Sequence, residues 1–341
     1  MAKAARRASW ITVRPEGLLV EPGGFYVDPT RVVDRAVITH GHADHARPGH
    51  GAVLATAETL AIMRVRYGEA PFTSGQALRF GEKITINGVT VWLAPAGHVL
   101  GSAQAVLEYR GERVVVSGDY KRRADRTCAA FEPVPCDVFI TEATFGLPVF
   151  RHPEDSHEIA TLMHSRELFP ERCHVIGTYS LGKAQRLISL IRAAGYDRPL
   201  YLHGALLPLC DLYHAHGVFL GDLQPATAGE KGQPRPDLKG EIVLAPPSAI
   251  ADRWARRLPD PVICMASGWM RVKQRAKQGG VELPLVISDH ADWDELLATL
   301  DDVGAPEVWV THGREEALVH AARLKGLEAQ ALRLVGYEEE G

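Results

Sequence analysis

Along the first 145 residues the apolar positions gather in short runs, among them GVTVWLA, RVVVSG and DVFIT, separated by Gly, Pro and Asp. Short β-branched runs between turn formers predict strands, so this part reads as sheet with few helices. From about residue 156 to 204 the period changes. HEIATLMHSRELF and GKAQRLISLIRAAG are helical in pattern, and the apolar runs HVIGTY and PLYLHG stand between them. That alternation predicts parallel βα units and a second domain. After Val281 the runs PLVIS and EVWVT each precede a helix-like segment, DWDELLATL and REEALVHAARLKG, so the chain is expected to re-enter its first domain there. The sequence holds no repeat of fixed period and no low-complexity tract. Residues 222–240, rich in Gly, Pro and charge, read as a long exposed loop.

Composition narrows the class. The chain has 341 residues, 46% apolar and 23% charged, which excludes disorder. At roughly 100 to 200 residues per domain, two domains or one with a large insertion are expected. Lys and Arg number 38 against 42 Asp and Glu, a formal balance of −4, so a polyanionic partner has to be met by a local basic patch. A highly basic coat protein is excluded. Cys128, Cys136, Cys173, Cys210 and Cys264 form no CxxC pair and read as reduced core thiols. No window of about 18 uninterrupted apolar residues exists, and the basic start MAKAARRASW runs into ITVRPEG rather than an apolar signal region. A cytoplasmic protein with no membrane role is expected.

The unusual feature is the fifteen histidines. RAVITHGHADHARPGH follows a strand-like AVIT with His40, His42, Asp44 and His45. Imidazole nitrogens and a carboxylate suit a borderline cation such as Zn²⁺, and a loop leaving a strand can splay alternate side chains towards two ions. VTVWLAPAGHVLGSA places His98 just past a strand, RVVVSGDY does the same for Asp119, and EVWVTHGRE for His312. Ligands at the ends of several strands, far apart in sequence, are what a site at one sheet edge requires. An isolated histidine in any of these places is more often packed or capped, whereas HxHxDH is a dense ligand set. His152, His157, His164, His174, His203, His214, His216 and His320 lack companion ligands and read as packed or solvated, and His50 is open between the two readings.

His40-Gly41-His42-Ala43-Asp44-His45, with His98 and Asp119 behind it, resembles the metallo-β-lactamase superfamily. The resemblance implies an αββα sandwich with two metal ions at its edge. It makes Asp28 in GGFYVDPT, in preference to Asp34, the carboxylate that supports the ligand loop. Glu142 in FITEATFG, His290 in LVISDHADWDEL and His312 in VTHG resemble motifs A, B and C of the nucleic-acid-cutting branch with a β-CASP insertion. The fold expected is thus an α/β protein, a metallo-β-lactamase sandwich over 1–145 and 284–341 with an inserted α/β β-CASP cap domain over 146–283. The same resemblance assigns His40, His42 and His98 to one metal and Asp44, His45 and His312 to the other, with Asp119 bridging. It also makes His290 a proton donor to the leaving 3′-oxygen, held by Glu142. Zn²⁺ is the first expectation for both ions, with Mn²⁺ or Fe²⁺ accepted by the same ligands.

The substrate implied is nucleic acid. His312 is similar to the residue that RNA-cutting relatives carry at motif C. In CMASGWMR, however, Ser267, Gly268 and Trp269 resemble a short Gly-Trp motif of Artemis-like DNA nucleases, and the compact chain resembles a bacterial group of DNA-ligase-associated exonucleases. DNA is therefore expected ahead of RNA, with a DNA ligase or helicase of one repair pathway as partner. Phosphate contacts are expected from Lys121, Arg122, Arg123 and Arg126, and from Arg271, Lys273, Arg275 and Lys277. In GTYSLGKAQRL, Ser180 and Lys183 before a helix-like stretch make a candidate receptor for a terminal 5′-phosphate, a capped turn being the other reading. A small-molecule hydrolase of the same superfamily lacks counterparts of Glu142 and His290. An inactive scaffold has typically lost ligands that are all present here.

Overall fold

The computed structural model describes residues 7–227, 236–252 and 254–332. The chain divides into two compact units, Met1–Val149 with His290–Gly341, and Phe150–Asp289.

In the first unit a six-stranded sheet runs through Ile11–Arg14, Gly17–Val20, Phe25–Val27, Arg35–Val37, His50–Ala55 and Phe72–Ala77 in chain order. A seven-stranded sheet has the order Glu328–Ala331, Glu307–Gly313, Val138–Ala143, Glu112–Val116, Ala103–Tyr109, Val89–Pro95, Ile84–Ile86. Strand alternation sends successive side chains to opposite faces and so builds the layers. Val91, Leu93, Val114, Val116, Ile140 and Trp309 meet Leu18, Phe25, Val27 and Val37 of the other sheet in one core. Their neighbours Trp92, Val115, Phe139, Val308 and Val310 face the opposite way, onto Leu296, Leu300, Val303 and Leu318 of the helices Trp293–Val303 and Glu315–Leu324. On the far side Ile38, Val53 and Ala55 pack on Leu60 and Met63 of the helix Ala57–Tyr67. The result is the αββα sandwich.

Strand direction then gathers the loops that carry polar residues. Val89–Pro95 and Glu112–Val116 are both antiparallel to Ala103–Tyr109, so they run the same way. Val138–Ala143 and Glu307–Gly313 continue in parallel. All four strands therefore end at one edge. Helix Trp293–Val303 starts there at a capping box, with Asp292 accepting from the Glu295 amide at 3.0 Å and Glu295 accepting from the Asp292 amide at 2.9 Å.

The second unit has an all-parallel sheet in the order Leu223–Pro225, Leu200–Leu202, Ile242–Ala245, His174–Gly177, Val262–Ala266, Leu283–Leu285. Its central strands His174–Gly177 and Ile242–Ala245 are buried throughout, as a sheet covered on both faces requires. Two readings of the sequence change. Leu283–Leu285, expected in the first domain, pairs with Val262–Ala266 and stays in the second unit, which ends at Asp289 rather than near 283. Its three residues are too few to show from sequence which sheet they join. Leu223–Pro225 is a strand rather than loop, and residues 228–235 of the expected loop lie outside the described residues. Among the described residues no helix is long and apolar enough to cross a membrane.

Leu296 is fully buried between helix and sheet, whereas Leu324 is 76% exposed. Leu296→Ala should lower unfolding free energy by about 2–5 kcal/mol and Leu324→Ala by no more than about 0.5 kcal/mol, as read from denaturant midpoints.

Candidate metal centre and its histidine–carboxylate pair

The ligand loop is built on Asp28. After the strand Arg35–Val37, the Thr39 amide and hydroxyl donate to the Asp28 carboxylate at 2.7 and 2.6 Å. His45 Nδ1 lies 2.8 Å from Asp28 Oδ2. The His42 carbonyl accepts from the amides of His45 and Ala46, a tight turn that folds His45 back beneath His42. Asp28 thus holds the loop from below, while Asp34 is exposed and contributes its main-chain oxygen to Ala52. Thr39 was not singled out in the sequence. A hydroxyl at the end of the apolar run AVIT was its only signal. Ser102, also passed over, accepts from the amides of His98 and Val99 at 3.0 and 3.1 Å and fixes the turn carrying His98.

These turns bring seven side chains together. One ligand atom each from His40, His42, His98 and Asp119 lie within 4.8 Å of one another, and the same holds for Asp44, His45 and His312. His42 Nδ1 is 3.1 Å from His40 Nε2 and 3.0 Å from His98 Nε2. A tetrahedral zinc at about 2.0–2.1 Å from each nitrogen sets nitrogens about 3.3 Å apart, so the cluster matches the ion's requirement. In the second group Asp44 Oδ2 is 3.6 Å from both His45 Nε2 and His312 Nε2. Asp119 Oδ2 lies 3.4 Å from His40, 3.8 Å from His98 and 3.5 Å from His45, and Asp119 Oδ1 lies 3.1 Å from His312. One carboxylate therefore faces both groups, and the residues present fit a pair of divalent cations.

The electrostatics divide the histidines. Burial, then the nearby His45, push His40 well below the usual histidine range. Burial also disfavours a charged His45, but Asp119, Asp44 and Asp28 outweigh it and raise His45 to about 10. For His312 burial is likewise outweighed, by Asp119 above all, and the ring is raised. Burial works against the Asp119 carboxylate, yet His312, His45 and His290 hold it well below the ordinary range. Burial thus favours the neutral, ligating form of His40, whereas the carboxylates around His45 and His312 favour the protonated ring, whose proton a cation would displace.

Glu142 sits in the buried strand Val138–Ala143, next to a register shift between Thr141 and Ala143 where that strand meets Glu307–Gly313. His312, on the partner strand, has a left-handed φ of 58°. Glu142 Oε1 accepts from the Tyr120 amide at 2.8 Å, and both carboxylate oxygens lie at 3.0–3.1 Å from His290 Nδ1. The His290 ring stands 4.6 Å from that of His98, which sets it beside the ligand cluster.

In the basic run after Asp119, three of the four cations have internal partners. Lys121 is 1% exposed, and its Nζ lies 3.3 Å from the His290 carbonyl and 3.9 Å from Glu295. Arg122 donates to Asp302 at 2.5 Å. Arg123 donates to Asp292 at 3.2 Å and its Nε is 3.3 Å from Glu295. These cations hold the helix Trp293–Val303, and Arg126 alone of the run is exposed.

In the second unit Lys183 begins the helix Lys183–Ala193, but its buried ammonium lies 2.8 Å from Asp289. The Gly182 amide donates to Gln185 Oε1, and the Ser180 carbonyl accepts from the Gln185 side chain. The Lys183 ammonium and the Gly182 amide are thus engaged, and the turn reads as a capped one. Ser267 caps the short helical turn Gly268–Arg271 through the Trp269 amide, and Gly268 is buried. Trp269 stacks edge-on against Phe150 at 5.0 Å with Arg275 over its ring at 4.2 Å. Arg271, Lys273, Arg275 and Lys277 are exposed.

Comparison with known proteins agrees with this geometry. A protein of Opitutus terrae named "Probable DNA ligase" is 29% identical over 331 residues, covering 95% of this chain and 31% of that protein. The chain thus spans about a third of that relative's length. A ribonuclease of Thermus thermophilus is 25% identical over 394 residues, covering 93% of this chain and 89% of its own. The crystal structure of a protein of unknown function from Enterococcus faecalis V583 shares the fold, with a TM-score of 0.59 at 13% identity over 89% of this chain and 80% of that one. Residues 29–161 match the metallo-beta-lactamase superfamily model. That segment carries His40, His42, Asp44, His45, His98, Asp119 and Glu142, and it is a metallo-β-lactamase superfamily domain within the chain.

Proposed function

We propose that this chain is a metal-dependent nuclease that hydrolyses DNA, acting as a 5′-to-3′ exonuclease in DNA repair alongside a DNA ligase or helicase. The observation that carries the reading is the Glu142–His290 pair beside seven clustered ligands. Two divalent cations held there, zinc first and manganese or iron second, would lower the pKa of water towards about 7 and neutralise charge gathering on the phosphoryl oxygens. Glu142 accepts from His290 Nδ1 and so leaves Nε2 to give a proton to the departing 3′-oxygen. Asp28 keeps His45 oriented from behind. Phosphate contacts fall to Arg271, Lys273, Arg275 and Lys277, the basic run that remains exposed. DNA is supported by the relative whose name assigns it to DNA joining and which matches nearly the whole of this chain. RNA is the second reading, supported by the Thermus ribonuclease and by the resemblance of His312 to the motif C histidine of RNA-cutting enzymes.

Metal-loaded protein given matched end-labelled DNA and RNA strands should release mononucleotides from DNA and leave RNA intact. Cleavage of RNA alone would overturn the substrate assignment. His290→Ala should keep both metals by elemental analysis and lose about 10²–10⁴ in rate, whereas His42→Ala should lose metal as well. A metal-poor His290→Ala protein contradicts its assigned role. Because His45 is raised to about 10 and a ligating imidazole is neutral, metal uptake should expel a proton at neutral pH, and affinity should weaken as pH falls. Calorimetric titration with zinc in buffers of different ionisation enthalpy measures that proton directly, and uptake without proton release would contradict the assignment.

A further inference from the structure

Lys121 is almost wholly buried, so it has no access to a phosphate, and it lies between the turn that leads to His98 and the peptide that follows His290. Its amide donates to the Ala96 carbonyl at 3.1 Å, in the turn that leads to His98. Gly97 in that turn has φ +75°, and a Cβ there would collide with the Lys121 carbonyl oxygen. One residue earlier, the Tyr120 amide holds the Glu142 carboxylate and the Tyr120 carbonyl accepts from the Ala291 amide at 2.7 Å. Lys121 Nζ lies 3.3 Å from the His290 carbonyl. The His290 carbonyl and the Ala291 amide belong to one peptide group. Tyr120 and Lys121 therefore grip both polar atoms of the peptide that follows His290, which fixes the backbone from which its ring projects. Glu295, 3.9 Å from the ammonium and held in turn by Arg123, compensates the buried charge.

We propose that Lys121 is a positioning residue for His290, acting through the His290 carbonyl to keep the imidazole aligned with the leaving oxygen. The inference rests on the proton-donor role given to His290 above. A residue that acts only through the acid should matter where the leaving group needs a proton and matter little where it does not. Metal-loaded wild type, Lys121→Met and His290→Ala are compared on a DNA strand and on bis-p-nitrophenyl phosphate, whose phenolate departs unprotonated. Lys121→Met should lose about 10- to 100-fold in kcat on DNA with KM little changed, and far less on the nitrophenyl ester, at wild-type metal content. Lys121→Arg, which keeps a donor, should recover part of the loss. Equal losses on both substrates, full activity on both, or loss of metal would each overturn the proposal while His290→Ala still shows the split. If His290→Ala itself loses equally on both, the acid assignment has failed instead. Should Lys121→Met not fold, Lys121→Gln decides on the same pair of substrates.

Discussion

The constraint on which the rest depends is the burial of Asp119. A carboxylate 3% exposed is stable only if charge or hydrogen bonding replaces its lost hydration, at a cost otherwise of several kcal/mol. In this protein the replacement comes from His40, His45, His98 and His312 on every side. The imidazoles repel one another when charged, and the response is visible in the opposite directions taken by His40 and His45. Divalent cations held there would resolve both conflicts at once, since they would satisfy the carboxylate and favour neutral rings.

The sandwich exists to deliver those groups to one edge. Alternating apolar residues bury the strands on both faces, which leaves the strand ends as the place where polar side chains can collect. Local irregularities then aim them. The register shift beside Glu142 and the left-handed backbone at His312 occur on neighbouring strands, where a regular ladder would point alternate residues into the core. Such strain persists because the surrounding sheet over-determines it.

How much of this was legible in the sequence depended on locality. His40, His42, Asp44 and His45 declare themselves by density, and His98, Asp119 and His312 by standing just past or within strand-like runs. Glu142 and His290, 148 positions apart, carry no local mark, and only the resemblance to a family singled them out. Charge was the least legible property. Lys121, Arg122 and Arg123 look like a phosphate patch because their counter-charges, Asp292, Glu295 and Asp302, lie about 170 to 180 positions further on. Lys183 misleads in the same way, since Asp289 is remote in sequence. Hydrophobic period, by contrast, is a local signal. It located the helices Asp155–Leu168, Lys183–Ala193, Trp293–Val303 and Glu315–Leu324, but it left the helices Ala57–Tyr67 and Leu207–Ala215 unmarked and did not place three-residue strands such as Leu283–Leu285.

The internal use of those cations bears on how a polyanion could be handled. With a formal balance of −4 and Lys121, Arg122 and Arg123 engaged by carboxylates, the exposed basic residues left to meet a phosphate backbone include Arg126, Arg314 and the run of Arg271 to Lys277. On the proposed reading, a nuclease with that charge balance would draw little on a global positive field. It would bind weakly along the strand and strongly at the point of chemistry, where two cations and His290 meet the scissile phosphate. Interactions of that kind strengthen as the transition state forms, and they raise turnover rather than ground-state affinity. Lys121, Arg122 and Arg123 are ordered by internal partners instead, the carboxylates Asp292, Glu295 and Asp302 and, for Lys121, the His290 carbonyl.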